Sequence, residues 1–178
     1  MLRQILLVAV AAVSLCVMPA LARADMMIAV VDMQEVLNKT DAAKNILEQA
    51  KAQREKLAKE IKAIEDGLKK DEADLIKKKD TVKADEFEKL KKDFEKKLQD
   101  ARAKVQAKRK STDDAFNKAV GELRDNVLAV VTALSDEKKI QLVITKQNVV
   151  IGSNSLDITQ DVMTKLNARI KAIKIKFD

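Results

Sequence analysis

The chain has 178 residues, with 35 basic and 28 acidic side chains, a net charge of +7, one cysteine, and no histidine, tryptophan or tyrosine. That inventory removes the usual proton shuttle of neutral pH, imidazole and thiolate metal sets, and any disulfide within the chain. Carboxylates and lysines remain but form no recognisable catalytic constellation, and no P-loop motif is present, so the chain reads as a non-enzyme with no cofactor and no metal site.

The first predicted element is a secretory signal peptide over residues 1–24. Arg3 precedes an apolar run from Ile5 to Met18, and Pro19 and the small-residue pattern Ala22-Arg23-Ala24 follow, which places cleavage before Asp25. A membrane anchor is the competing reading, but a spanning helix wants about 20 apolar residues and this run is shorter. Cleavage removes Cys16, the only cysteine, and leaves 33 basic and 28 acidic residues. The mature fold must therefore stand in an oxidising compartment without crosslinks.

Met27 to Met33 is short, apolar and β-branched, the pattern of a buried strand, with a brief helical turn expected around Gln34 to Leu37. Thr40 or Asp41 then offers an N-cap. From there Ala43, Leu47, Ala50, Arg54, Leu57, Ile61, Ile64, Leu68, Asp71 and Leu75 alternate steps of four and three, the period of a coiled-coil seam with polar intrusions at Arg54 and Asp71. A rod over residues 41–79 would be roughly 60 Å long and cannot bury its stripe against itself.

Beyond Val82 the apolar residues resume out of phase at Phe87, Leu90 and Phe94, then continue through Leu98, Ala101, Val105 and Thr112 to Phe116, Val120, Leu123, Val127, Val130 and Leu134. A straight helix would carry the two stripes on different faces. A turn near residues 79–84 brings them together, which predicts an antiparallel helical hairpin with Asp80 or Thr81 capping its second helix. Gly67 and Gly121 fall inside these helices, where ordinary tolerated defects are slightly favoured over points of bending.

The period then changes. Ile140 to Thr145 and Asn148 to Gly152, separated by Lys146-Gln147, read as a tight β-hairpin. A last helix follows, with Thr159 as N-cap, an Ile158 to Met163 staple, and Val162, Leu166, Ile170 and Ile173 on one face.

The predicted fold class is α+β: a small β-rich oligomerisation body, residues 25–40 and 115–178, from which a helical-hairpin arm, residues 41–114, projects. With Phe87, Phe94, Phe116 and Phe177 as the only aromatics, one large core is not expected, and sharing apolar surface between subunits covers the strand edges. Residues 51–110 hold 21 basic and 14 acidic side chains, so the arm is basic while the body is close to neutral. Most of these charges suit a solvated coiled-coil face with pairs four residues apart. Nucleic acid is a poor fit, since lysine outnumbers arginine, stacking aromatics are nearly absent and the chain is secreted. A grip on unfolded polypeptide near an anionic membrane is the third reading.

The strand IAVVDMQEVL, the Lys/Glu-rich helical hairpin and the closing IQLVITKQNVVIGSNSLDITQDVMTKL together resemble the Skp/OmpH family of periplasmic chaperones, across essentially the whole mature chain in order. The resemblance implies a homotrimer whose strands meet in a central body, with three arms enclosing unfolded outer-membrane proteins and keeping them from aggregating without ATP. It also brings a basic patch for an anionic lipid or lipopolysaccharide surface, for which no residue is assigned. A structural coiled-coil protein of the envelope, binding one folded partner, is the alternative.

The residues singled out for client contact are Lys77, Lys78, Lys79, Phe87 and Phe94, at the expected arm tip. Those for oligomerisation are Ile28, Val30, Ile140, Leu142, Ile144, Val149 and Ile151, as alternating positions on body strands. The same alternation would serve an intramolecular core equally well. The tail RIKAIKIKFD extends past the family minimum and has no assigned role.

Overall fold

The computed structural model describes residues 26–177. The expected signal peptide lies outside the described residues. In chain order the elements are β1 (Ile28–Val31), α1 (Met33–Lys39), α2 (Asp41–Lys78), α3 (Ala84–Lys138), β2 (Leu142–Thr145), single 3₁₀ turns at Lys146–Asn148 and Asn154–Leu156, and α4 (Thr159–Arg169).

Two long helices dominate. At 1.5 Å per residue, α2 and α3 are about 57 and 80 Å long. The chain reverses between them at residues 79–83, where the amide N–H groups of Thr81 and Val82 both donate to the carbonyl of Lys78. Lys108 pairs with Glu60 and Lys97 with Asp71, while the Arg54 guanidinium sits 5.9 Å from the centre of the Phe116 ring. Partners nearer the reversal on one helix meet partners nearer the reversal on the other, so α2 and α3 lie side by side in opposite directions.

Neither expected cap of α3 forms. Its N-cap is Lys83, with no side-chain bond, and the Thr81 hydroxyl instead donates back to the carbonyl of Lys78 at 3.3 Å. At the other end Lys139 adopts the left-handed conformation with φ 56°, and the N–H of Ile140 reaches the carbonyl of Ser135 at 2.8 Å. This bond spans the last turn, and the following apolar residue folds onto the core, the usual way an α-helix is stopped.

The sheet has two strands, not three. β1 and β2 pair in parallel, in the register Ile28 to Leu142, Ala29 to Val143, Val30 to Ile144 and Val31 to Thr145. The expected tight hairpin between β2 and Asn148–Gly152 is absent: Lys146–Asn148 forms a 3₁₀ turn and the following residues form no strand. A two-residue hairpin turn wants positive φ at its centre, and Lys146-Gln147 supplies neither glycine nor asparagine for it. On its other side β1 meets Asp157 in a single parallel bridge, and the N–H of Ile158 donates to the carbonyl of Val30.

The core sits where the roots of α2 and α3 cross α1, α4 and the sheet. Val36, Ala42, Ala43, Ile46, Leu123, Val127, Leu134, Val162, Leu166 and Ile173 are buried together. Ile46 takes the seam position expected for Leu47, which points to water at 49% exposure. Ala42 and Ala43 also face inward there. Thr159 is not the N-cap of α4 but its first residue, with Ile158 at the cap.

Candidate functional site

Burial along the arm falls with distance from the body. The last fully buried residues are Ala50 on α2 and Thr112 on α3, and the apolar seam residues beyond them are half-buried: Leu57, Ile61, Ile64, Leu68 and Leu75 on one side, Phe94, Leu98, Ala101 and Val105 on the other. Two isolated helices can cover only part of each other's apolar stripe. What they leave between them is a row of clefts.

The middle cleft has a volume of about 480 Å³ and is walled by Ile61, Ile64, Leu68, Leu98, Ala101 and Val105, with Arg102 and Arg109 at its rim. A second, of about 300 Å³, lies nearer the reversal between Leu75, Leu90 and Phe94, rimmed by Lys78, Lys97, Asp71 and Asp74. The structure thus brings two of the five expected contact residues, Lys78 and Phe94, to one opening. Lys77 turns along its own helix to Asp74 at 3.2 Å, Lys79 is the exposed C-cap of α2, and Phe87 is half-buried on the first turn of α3. Arg102 and Arg109 were missed by the sequence reading, which treated the middle of the arm as generic charge.

The two polar intrusions in the seam, Arg54 and Asp71, and Glu60 beside it have partners across it. Asp71 pairs with Lys97, Glu60 with Lys108, and Arg54 lies over Phe116. The Lys108 ammonium beside Glu60 holds its carboxyl below the usual value. Because these pairs are solvated, each contributes little to stability and breaks at little cost. The seam is a zipper of weak contacts.

The body presents a second candidate surface. Among the described residues β2 pairs with β1 alone, so one row of its backbone groups has no strand beside it. Val150 and Ile151, next along the chain, are 97% and 92% exposed, and Leu142, Met26 and Met27 add to the exposed apolar side chains at this end. Of the residues expected at an interface, Leu142 and Ile151 are exposed, while Ile28, Ile144 and Val149 are half-buried. Val30 is buried in the body and Ile140 packs against the core, as the helix stop at Lys139 requires. Val149 and Ile151 lie in the irregular segment after β2, not on a strand as expected.

Behind this surface the chain is locked by Asp157. Its carboxylate accepts the N–H of Thr159 at 2.9 Å and pairs with Lys146 at 2.9 Å, which together hold its pKa down to about 2. Among the described residues no cluster of three or more His, Cys, Asp or Glu side chains is placed to hold a metal ion, and no helix is long and apolar enough to cross a membrane.

The family model for OmpH-like outer membrane proteins matches residues 27–166. This chain belongs to the OmpH-like family. The match takes in β1, both arm helices, β2 and most of α4, and stops before the tail. Among solved structures, an OmpH-like outer membrane chaperone from Caulobacter crescentus superposes with a TM-score of 0.80 at 18% identity, covering 86% of this chain and 90% of its own. At that identity the likeness concerns the fold. No curated protein matches. The OmpH-like architecture therefore accounts for a sheet joined through two long helices.

Proposed function

We propose that this OmpH-like protein is an ATP-independent holdase of the periplasm that binds unfolded outer-membrane proteins between the arms of a homotrimer and prevents their aggregation before membrane insertion. The observation that carries the reading is the half-open seam. It sets apolar walls at Ile61, Leu68, Leu98 and Phe94 beside a rim of lysine and arginine, along an arm with a large basic excess.

An unfolded client offers many weak apolar contacts and some acidic groups, and it must be released without an energy source. Shallow clefts walled by half-buried side chains give contacts that are individually weak and collectively sufficient. The basic excess speeds encounter with anionic segments and makes capture sensitive to salt. Lys78 and Phe94 contact the client at the outer cleft; Lys77, Lys79 and Phe87 extend that contact around the arm tip. In this reading residues 41–114 form the client-holding arm, and residues 25–40 and 115–178 the oligomerisation body.

The trimer reading is supported by the free outer edge of β2 and by the almost fully exposed Val150 and Ile151. Two consecutive apolar side chains left this exposed have no partner among the described residues. A neighbouring copy would cover them, and Leu142 and Ile144 would lie at the same contact.

Dilution of a urea-unfolded outer-membrane protein into buffer tests the function. With three subunits per client, the mature chain is expected to suppress light scattering by the aggregating client. Scattering equal to that of the client alone would remove the holdase reading and leave a structural coiled-coil role.

A further inference from the structure

We infer that the groove at the arm root is a binding site for extended polypeptide with alternating apolar and polar side chains, and that the chain's own segment Ile170–Phe177 occupies it. The identification of the ligand as a client segment rests on the holdase reading above; the groove itself does not.

The Gln49 side chain meets this segment through its backbone alone. Its Nε2 donates to the carbonyl of Ile173 at 2.7 Å, and its Oε1 accepts the N–H of Ile175 at 3.0 Å. A carbonyl and an amide two residues apart on one side of an extended chain are the pair that a parallel strand would engage, so a single amide stands in for one residue of a neighbouring strand. Gln49 is held for the task by Asn45, whose Oδ1 accepts from the same Nε2 at 2.7 Å. Nothing in this recognition depends on which side chains the bound segment carries.

The side chains are sorted by alternation instead. Ile173 is 2% exposed in the core and Ile175 packs against it, while Lys174 and Lys176 face out. Strands that line a membrane β-barrel have this two-residue period. Beside the tail an open cavity of about 620 Å³ remains, between Lys174, Ile175 and Lys176 and the α3 residues Asp114, Lys118 and Glu122. The tail fills only part of the groove. The groove residues on α2 and α3 lie within the family match at 27–166, and the occupant lies beyond it.

The test keeps the full mature chain and weakens the occupant's two apolar anchors, of which Ile173 also belongs to the core of the body. In the Ile173→Ser, Ile175→Ser double variant, with circular dichroism showing unchanged helix content, a fluorescein-labelled peptide of sequence RIKAIKIKFD is expected to bind saturably, one per subunit. The unsubstituted chain should show no saturable binding. Adding Gln49→Ala should weaken the peptide at least about fivefold, in proportion to two lost hydrogen bonds of ordinary net strength. A helical double variant that ignores the peptide, or equal binding by both forms, would overturn the proposal.

Should the double variant lose its helices, amide exchange in the unsubstituted chain decides. The Ile175 amide is expected to open far more readily than those of Val127 or Leu166, and equal protection would make the tail a fixed part of the core and refute the site. Client aggregation is measured separately. Peptide binding without suppression leaves the groove standing and removes its client; suppression without peptide binding does the reverse.

Discussion

The hydroxyl of Thr159 accepts the backbone N–H of Asp32 at 2.9 Å, joining the start of the last helix to the end of the first strand across 127 positions in sequence. Thr159 is buried, so the bond closes the body from inside. Thr159→Val keeps the shape but leaves the Asp32 amide without its acceptor. A loss of about 1–2 kcal/mol is expected from the urea midpoint, with Thr159→Ser costing less.

Asp157 sets the acid limit of the same region. Its folded pKa of about 2 lies below the ordinary carboxylate value because it accepts from Thr159 and pairs with Lys146. The stabilisation is therefore present above about pH 4 and lost as pH falls through about 2. Asp157→Asn should cost about 1 kcal/mol at pH 7, the full shift being discounted for partial solvation, and only a small part of that at pH 2, where the folded carboxylate is already about half protonated. Urea melts at the two pH values check this; an equal cost at both would show that charge plays no part.

The left-handed Lys139 stores a small backbone strain that glycine would not. Lys139→Gly is expected to raise stability by about 0.5–1 kcal/mol, read as a higher urea midpoint at unchanged slope. A lower midpoint would mean that the lysine side chain holds the helix end.

The fall of burial along the arm should appear as a fall in mutational cost. Leu134→Ala removes a fully buried side chain and should cost about 2–5 kcal/mol, whereas Leu68→Ala on the half-open seam should cost less than half of that. Equal losses would mean that the seam is closed in solution, for instance by an arm of another subunit.

Val150→Asp with Ile151→Asp probes the edge of the body. Both side chains are almost fully exposed within the subunit, so its fold should be unchanged by circular dichroism. Mass by light scattering is expected to drop from that of the proposed trimer to smaller species. A trimer that persists would place the contact elsewhere.

The long elements were legible in the sequence because a seam of spaced apolar residues repeats over many turns. The out-of-phase return of Phe87, Leu90 and Phe94 marked the chain reversal without any glycine or proline. The strand pairing was not legible. Ile140–Thr145 and Asn148–Gly152 have the same local pattern, and only the arrival of β1 from the far end of the chain decides that Leu142–Thr145 pairs and the other does not. Of the candidate site, Lys78 and Phe94 could be found from the arm tip, but Arg102 and Arg109 could not: charge in a charged helix has no signature until the apolar wall beside it is located. Gln49 was invisible for the same reason, being one polar residue among many on α2.

The parallel pairing of β1 with β2 has a kinetic side. More than 100 residues separate the two strands, and a random loop of that length closes against a large loss of chain entropy. Once α2 and α3 have zipped from their reversal, the same two strands are delivered to one place by a stiff connection. The arm is thus a clasp on its own base: with α2 and α3 apart, β1 would be left with an unpaired edge.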